Sequence, residues 1–135
     1  MRTRYALTLA EAEAAVKAGL EEARREGWAV TIAVVDDAGF PILIARDDEA
    51  TPLSVKTAIE KASSAGTTGL DTALLEGMIA KRPALVTMGR VAIEGGVPVL
   101  YKGQKVGGVG VSGVQSHQDA QVARAGVAAI DALAG

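Results

Sequence analysis

Apolar residues recur at helical spacing near the start of the chain, where Leu9, Ala12, Val16, Leu20 and Ala23 mark one face of a helix. Thr8 and Glu11 stand three apart at its beginning, the spacing of a capping box, and Gly27 stops the run. From Trp28 to Val35 the pattern becomes that of a strand with two apolar faces. Val30, Ile32 and Val34 fall on one side and Ala29, Ala33 and Val35 on the other. Strands of this kind belong to a sheet covered on both sides. Asp36-Asp37-Ala38-Gly39 supplies turn residues, and Phe40 to Arg46 returns as the second strand of a hairpin.

Thr51-Pro52 is a strong helix start, with Thr51 in the capping place and Pro52 in the first helical position. The spacing predicts a helix to about Ala65, ended by Gly66. Its small residues Ala58, Ala62 and Ala65 admit another backbone closely. A shorter helix is expected from Asp71 to about Ala80, with Pro83 preventing its continuation. Strand-like segments follow at Ala84 to Thr87, Val91 to Glu94, Val97 to Tyr101 and Lys105 to Val111, the last two joined through Lys102-Gly103-Gln104. Ser116-His117-Gln118-Asp119 then opens a final helix carrying Val122, Gly126, Ile130 and Leu133 on one face. No linker, repeat or low-complexity tract interrupts the 135 residues. The expectation is one α+β domain, residues 1–135, with an antiparallel sheet and helices on both its faces.

Composition adds a partner to this picture. Hydrophobic residues make up 49% of the chain and glycines number 16, against only 22% charged residues. Part of that apolar excess then falls on the surface of a lone protomer, and contact with further copies covers such surface. A homo-oligomer is therefore expected. The net charge of −2 and the isolated basic pairs Arg24-Arg25 and Lys81-Arg82 leave no basic face for a nucleic acid. The absence of cysteine excludes disulfides, thiolate metal sites and a thiol nucleophile. Met1 to Leu7 lacks the apolar core of an export signal, and no window approaches a membrane span, so a cytoplasmic protein with no membrane contact is expected.

Candidate chemistry is sparse. Gly108-Val109-Gly110-Val111-Ser112-Gly113 has the form of a dinucleotide-binding fingerprint, but that motif needs a following parallel strand with an acid about 20 positions on. Asp131, the residue at that distance, lies inside the final helix. Strand periodicity gives a better account: Gly108 and Gly110 form a bare stripe on one face, open to a helix backbone or a flat ligand. Glu94-Gly95-Gly96 before Val97-Pro98 is a turn that presents Glu94. His117, in the first turn of the last helix, is the only histidine. A neutral imidazole serves as an iron ligand or a base, but one histidine builds no multi-histidine metal site within a chain. Arg46 at a strand end is the best anchor for an anion. Lys56, Glu60 and Lys61 follow on the next helix, where Lys56 and Glu60 are spaced to pair with each other on a solvated face. Asp119 completes an S-x-x-D cap with Ser116. No serine has an evident base and orienting group, so ordinary hydrolase chemistry is not expected.

Five motifs in order carry a likeness. Leu7-Thr8-Leu9-Ala10-Glu11-Ala12, Val30 to Gly39, Lys61-Ala62-Ser63-Ser64-Ala65, Glu94-Gly95-Gly96-Val97-Pro98 and Gly107 to Gly113 resemble the GlcG/HbpS family. The chain is also similar to the C-terminal domain of PduO-type proteins. The resemblance implies a profilin-like α-β-α sandwich assembling as dimers into larger rings or octamers. It also implies a small-ligand-binding protein of the haem-sensing or haem-storing kind. Phe40 departs from many members, in which a histidine follows the Asp-Asp-x-Gly turn, and no axial ligand is carried over from the family. On chemical grounds His117 is the candidate axial ligand for a haem or tetrapyrrole. Arg46 or Lys56 would meet a propionate, and Gly108 and Gly110 would lie beside the ring. The alternative is a cofactor-free enzyme or accessory protein for a small carboxylate or hydroxy acid. There Arg46 would hold the carboxylate and His117 or Glu94 would move a proton.

Overall fold

A computed structural model describes residues Met1–Gly135 as four helices, four strands and one 3-10 turn. Helix α1 (Leu9–Glu26) begins at the expected capping box. The Thr8 amide donates to Glu11 Oε2 at 2.6 Å, and the chain leaves through Gly27 in the left-handed conformation. Strands β1 (Thr31–Asp36) and β2 (Pro41–Arg46) form the hairpin. Its turn is fastened by Asp36 Oδ1, which accepts the amides of Ala38 and Phe40, both at 2.9 Å.

Helix α2 (Leu53–Thr68) runs past Gly66 and ends at Gly69. Gly66 is therefore an interior residue and not a stop. A Cβ there would lie 3.0 Å from the Asp36 carbonyl oxygen and 3.1 Å from the Gly108 amide nitrogen, so glycine lets the helix sit against the sheet backbone. Helix α3 (Thr72–Lys81) follows as expected. The segment 84–87, expected as a strand, instead belongs to a 3-10 turn, Pro83–Met88, with proline at its start and Gly89 closing it. Residues 91–94 also form no strand. Short apolar runs do not distinguish strand from helix without a neighbour to pair with, and neither segment has one. Strands β3 (Gly96–Tyr101) and β4 (Gln104–Ser112) make a second hairpin, and α4 (Ser116–Ala134) completes the chain.

The sheet is antiparallel throughout, in the order β2-β1-β4-β3. The main core lies on one face, where Val30, Ile32, Val34, Val109 and Val111 meet Ala12, Val16 and Val122 of α1 and α4. On the other face Ala33 and Val35 meet Ala58 and Ala62 of α2. This is the α-β-α sandwich. No helix is long and apolar enough to cross a membrane.

Candidate functional site

The sheet register brings the candidate residues to one end of the sandwich. Arg46 closes β2 opposite Thr31, and Thr31 opens β1 opposite Ser112, the last residue of β4. Helix α2 starts at the same place, because the buried hydroxyls of Thr31 and Ser54 share a hydrogen bond of 2.7 Å. Helix α4 starts four residues after Ser112. Glu94 lies two residues before β3, whose first residue Gly96 pairs with Gly110. Arg46, Lys56, Glu94 and His117 thus lie at this end, where α2 and α4 also begin, but Arg46 on the β2 edge and Glu94 before the β3 edge stand three strands apart, about 14 Å. Asp47, Asp48 and Glu49 follow Arg46 directly and add negative charge there.

His117 and Arg46 are both exposed. Arg46 has no carboxylate partner within 4.0 Å, whereas Lys56 stands 4.0 Å from Glu60 on a solvated helix face. Glu94 is half-buried, and its amide donates to Glu76 Oε1 at 3.2 Å. Gly108 and Gly110 lie elsewhere, beneath α2. A Cβ on Gly108 would stand 2.5 Å from the Ala62 carbonyl oxygen and 2.7 Å from the Gly66 amide nitrogen, and one on Gly110 would strike the backbone of Ala58 and Ala62. Of the two occupants the bare stripe admits, a helix backbone is the one that lies on it.

Directly beneath this surface is a buried ion pair. Lys61 Nζ donates to Asp119 Oδ2 at 3.0 Å and to the Val111 carbonyl at 3.1 Å, and both side chains are 3% exposed. Asp119 Oδ1 accepts the Val114 amide at 3.1 Å. Burial pushes the Asp119 carboxyl above the usual carboxylate range, against the opposing pull of Lys61 and of the Val114 amide. Asp119 is therefore not a helix cap. That task falls to Gln115 and Gln118, one turn position earlier than the expected Ser116. Gly95 makes room for the pair, with φ of 132° and a Cβ position 2.9 Å from Lys61 Nζ. The Glu94-Gly95-Gly96 motif is thus shaped by what passes beneath it, and not by a plain turn.

An apolar cavity of about 230 Å³, which the sequence did not announce, lies among Tyr5, Leu7, Val99, Tyr101 and Ile130. The Tyr5 and Tyr101 rings meet edge to face at 4.7 Å, and Lys102 Nζ stands 5.6 Å and 5.3 Å from their centres. Scarce aromatics at two distant positions were the only available signal. The cavity and His117 occupy opposite ends of α4, about 20 Å apart by the helical rise.

Residues 7–128 match the family described as haem degrading protein HbpS-like. The chain belongs to the HbpS-like family. GlcG of Escherichia coli K12 is 41% identical over 114 residues, covering 83% of this chain and 85% of that protein. The HbpS double mutant from Streptomyces reticuli superposes with a TM-score of 0.90 at 37% identity, covering 95% of this chain and 89% of that one. A PduOC:haem complex superposes with a TM-score of 0.85 at 25% identity, covering 93% and 95%. For an HbpS-like chain, the fit of a haem can be judged on this site. The accessible imidazole of His117 fits an iron ligand, and the free Arg46 suits a propionate. The apolar cavity lies at the far end of α4 from this imidazole.

Proposed function

We propose that the chain is a haem- or tetrapyrrole-binding protein of the sensing or storage kind, acting as a cytoplasmic homo-oligomer. The observation that carries this reading is the likeness over nearly the whole chain to a protein solved with haem bound, within a family described by haem chemistry. His117 is the axial ligand, Arg46 the propionate partner and Lys56 a second cation at the same end. A bound haem supplies an iron that accepts imidazole nitrogen. The chain's own residues position that nitrogen. The Lys61–Asp119 pair fixes the first turn of α4, and His117 sits on that turn two residues before Asp119. His117 is exposed on the protomer surface, and in this reading a second copy covers the haem there. Titration with haemin tests this: the expected result is a saturable Soret band that His117→Ala alters, and a featureless, unsaturable titration contradicts it.

A second reading rests on the unpaired Arg46 at the end where α2 begins. In it the site takes a small carboxylate or hydroxy acid, with Arg46 holding the carboxylate and His117 moving a proton, whereas Glu94, three strands from Arg46, is too far to serve the same small acid. Thermal shift against glycolate-like acids tests it. An acid at 100 times its dissociation constant adds about 2.7 kcal/mol of stability, and a flat response to all of them removes the reading.

A further inference from the structure

The apolar cavity at the far end of α4 carries a charge pattern that the His117 end does not use. Its floor is Val99, Val106 and Ile130, all buried, and Tyr5 and Tyr101 form part of its wall. Lys102 Nζ stands over both tyrosine rings but does not line the cavity. Lys102 is the one residue other than glycine with a left-handed backbone, φ of 48°, which costs a lysine free energy. The ammonium group over two rings offsets that cost and fastens the tyrosine pair. The volume of about 230 Å³ exceeds the roughly 150 Å³ that holds a benzene ring, and leaves room for a short chain beyond such a ring.

The only charged residues lining this cavity are Glu11 and Asp131, and no lysine, arginine or histidine lines it. Glu11 Oε2 accepts the Thr8 amide and hydroxyl, which answers the start of α1 and leaves Oε1 without a donor. Asp131 has no cation within 4.0 Å. It lies in the last turn of α4, which carries no basic residue, although the negative pole of a helix favours one there. An acid in that turn is repelled by the pole beside it unless a cation comes from elsewhere. We propose that this cavity binds a small organic amine, its apolar body lying on Val99, Val106 and Ile130 and its ammonium group meeting Glu11 and Asp131. A carboxylic acid of the same shape brings a third negative charge to this wall and is disfavoured. A neutral molecule fills the floor but gains nothing from the two acids. The site is separate from the His117 end, and its occupancy does not depend on haem.

Three probes of one shape test this on the full chain by ligand-observed NMR titration near neutral pH and at low salt: 2-phenylethylamine, 2-phenylethanol and phenylacetate. The amine should bind about threefold or more tighter than the alcohol, and phenylacetate should bind most weakly. Asp131→Asn, at an exposed position, and Glu11→Gln, which keeps a capping residue, should each lower amine affinity about threefold and leave the alcohol unchanged. Glu13→Gln removes the same charge from an exposed position of α1 outside the cavity and should change nothing. Ala6→Trp, which sets an indole at an exposed position of the wall, should remove amine and alcohol binding alike with circular dichroism unchanged. Binding of none of the three probes, or binding that survives Ala6→Trp, overturns the cavity as the site. Phenylacetate binding as tightly as the amine overturns the choice of an amine. Amine affinity that neither acid substitution lowers, or that Glu13→Gln lowers equally, overturns the role of the two carboxylates.

Discussion

Lys61 and Asp119, 58 positions apart on helices that cover opposite faces of the sheet, meet at 3.0 Å in the interior. They hold the two helical layers together around the end of β4, with the Val111 carbonyl as a third member. Removing one partner strands the other charge away from water. Lys61→Met is therefore expected to cost about 3–5 kcal/mol of unfolding free energy. Adding Asp119→Asn in that background removes the stranded charge, keeps an acceptor for the Val114 amide, and should recover a large part of the loss. Urea denaturation of both variants checks this. A loss below about 1 kcal/mol for Lys61→Met, or no recovery in the double variant, contradicts it.

The same pair gives a pH dependence with a definite sign. Burial raises the folded-state value of Asp119 above its ordinary one, so the folded chain holds the proton more tightly than the unfolded chain does. Its contribution is fully present below the ordinary carboxylate range and is lost as pH rises through the raised value. Glu11, held low by the Thr8 hydroxyl and amide, and Glu22, held low by Gln121 and Arg25, act in the opposite sense and lose their contributions on acidification. Comparing wild type with Asp119→Asn isolates the first effect. The stability of wild type relative to that variant should fall as pH climbs from the ordinary carboxylate range toward neutrality. A relative stability that rises over the same interval contradicts the assignment.

Gly110 is the tightest point between α2 and the sheet. A methyl group there meets the backbone of Ala58 and Ala62, which cannot rotate aside. Gly110→Ala should destabilise the fold by about 1–3 kcal/mol or more through overpacking, read from the denaturation midpoint. The same substitution at Gly103, whose Cβ position has nothing within 4 Å, meets no such contact. Its cost is only that of the left-handed turn, φ of 79°. Equal losses at the two positions would contradict the close packing of α2 on β4.

What could be read from the sequence follows from the range of each interaction. The Thr8–Glu11 cap, the hairpin turn at Asp36 to Gly39 and the turn at Lys102-Gly103 are local, and each lies where its residues indicate. The apolar alternation of β1 and the bare stripe of β4 announced a sheet covered on both sides. Gly66 misled because glycine both ends helices and admits close neighbours, and only the position of β4 decides between those uses. Asp119 fitted a local cap by spacing, but its partner is 58 residues away and is chosen by how α2 and α4 flank the sheet. The gathering of Arg46, Lys56, Glu94 and His117 at one end was hidden for the same reason, since it depends on strand register and not on sequence distance.

Sedimentation of the haemin-loaded chain, followed at the Soret wavelength, tests the central claim most directly. The account predicts that Soret absorbance travels with a species larger than one 13.7 kDa protomer, and that His117→Ala separates the absorbance from the protein. Soret absorbance that stays with unbound haemin, or that travels with a single protomer, contradicts it.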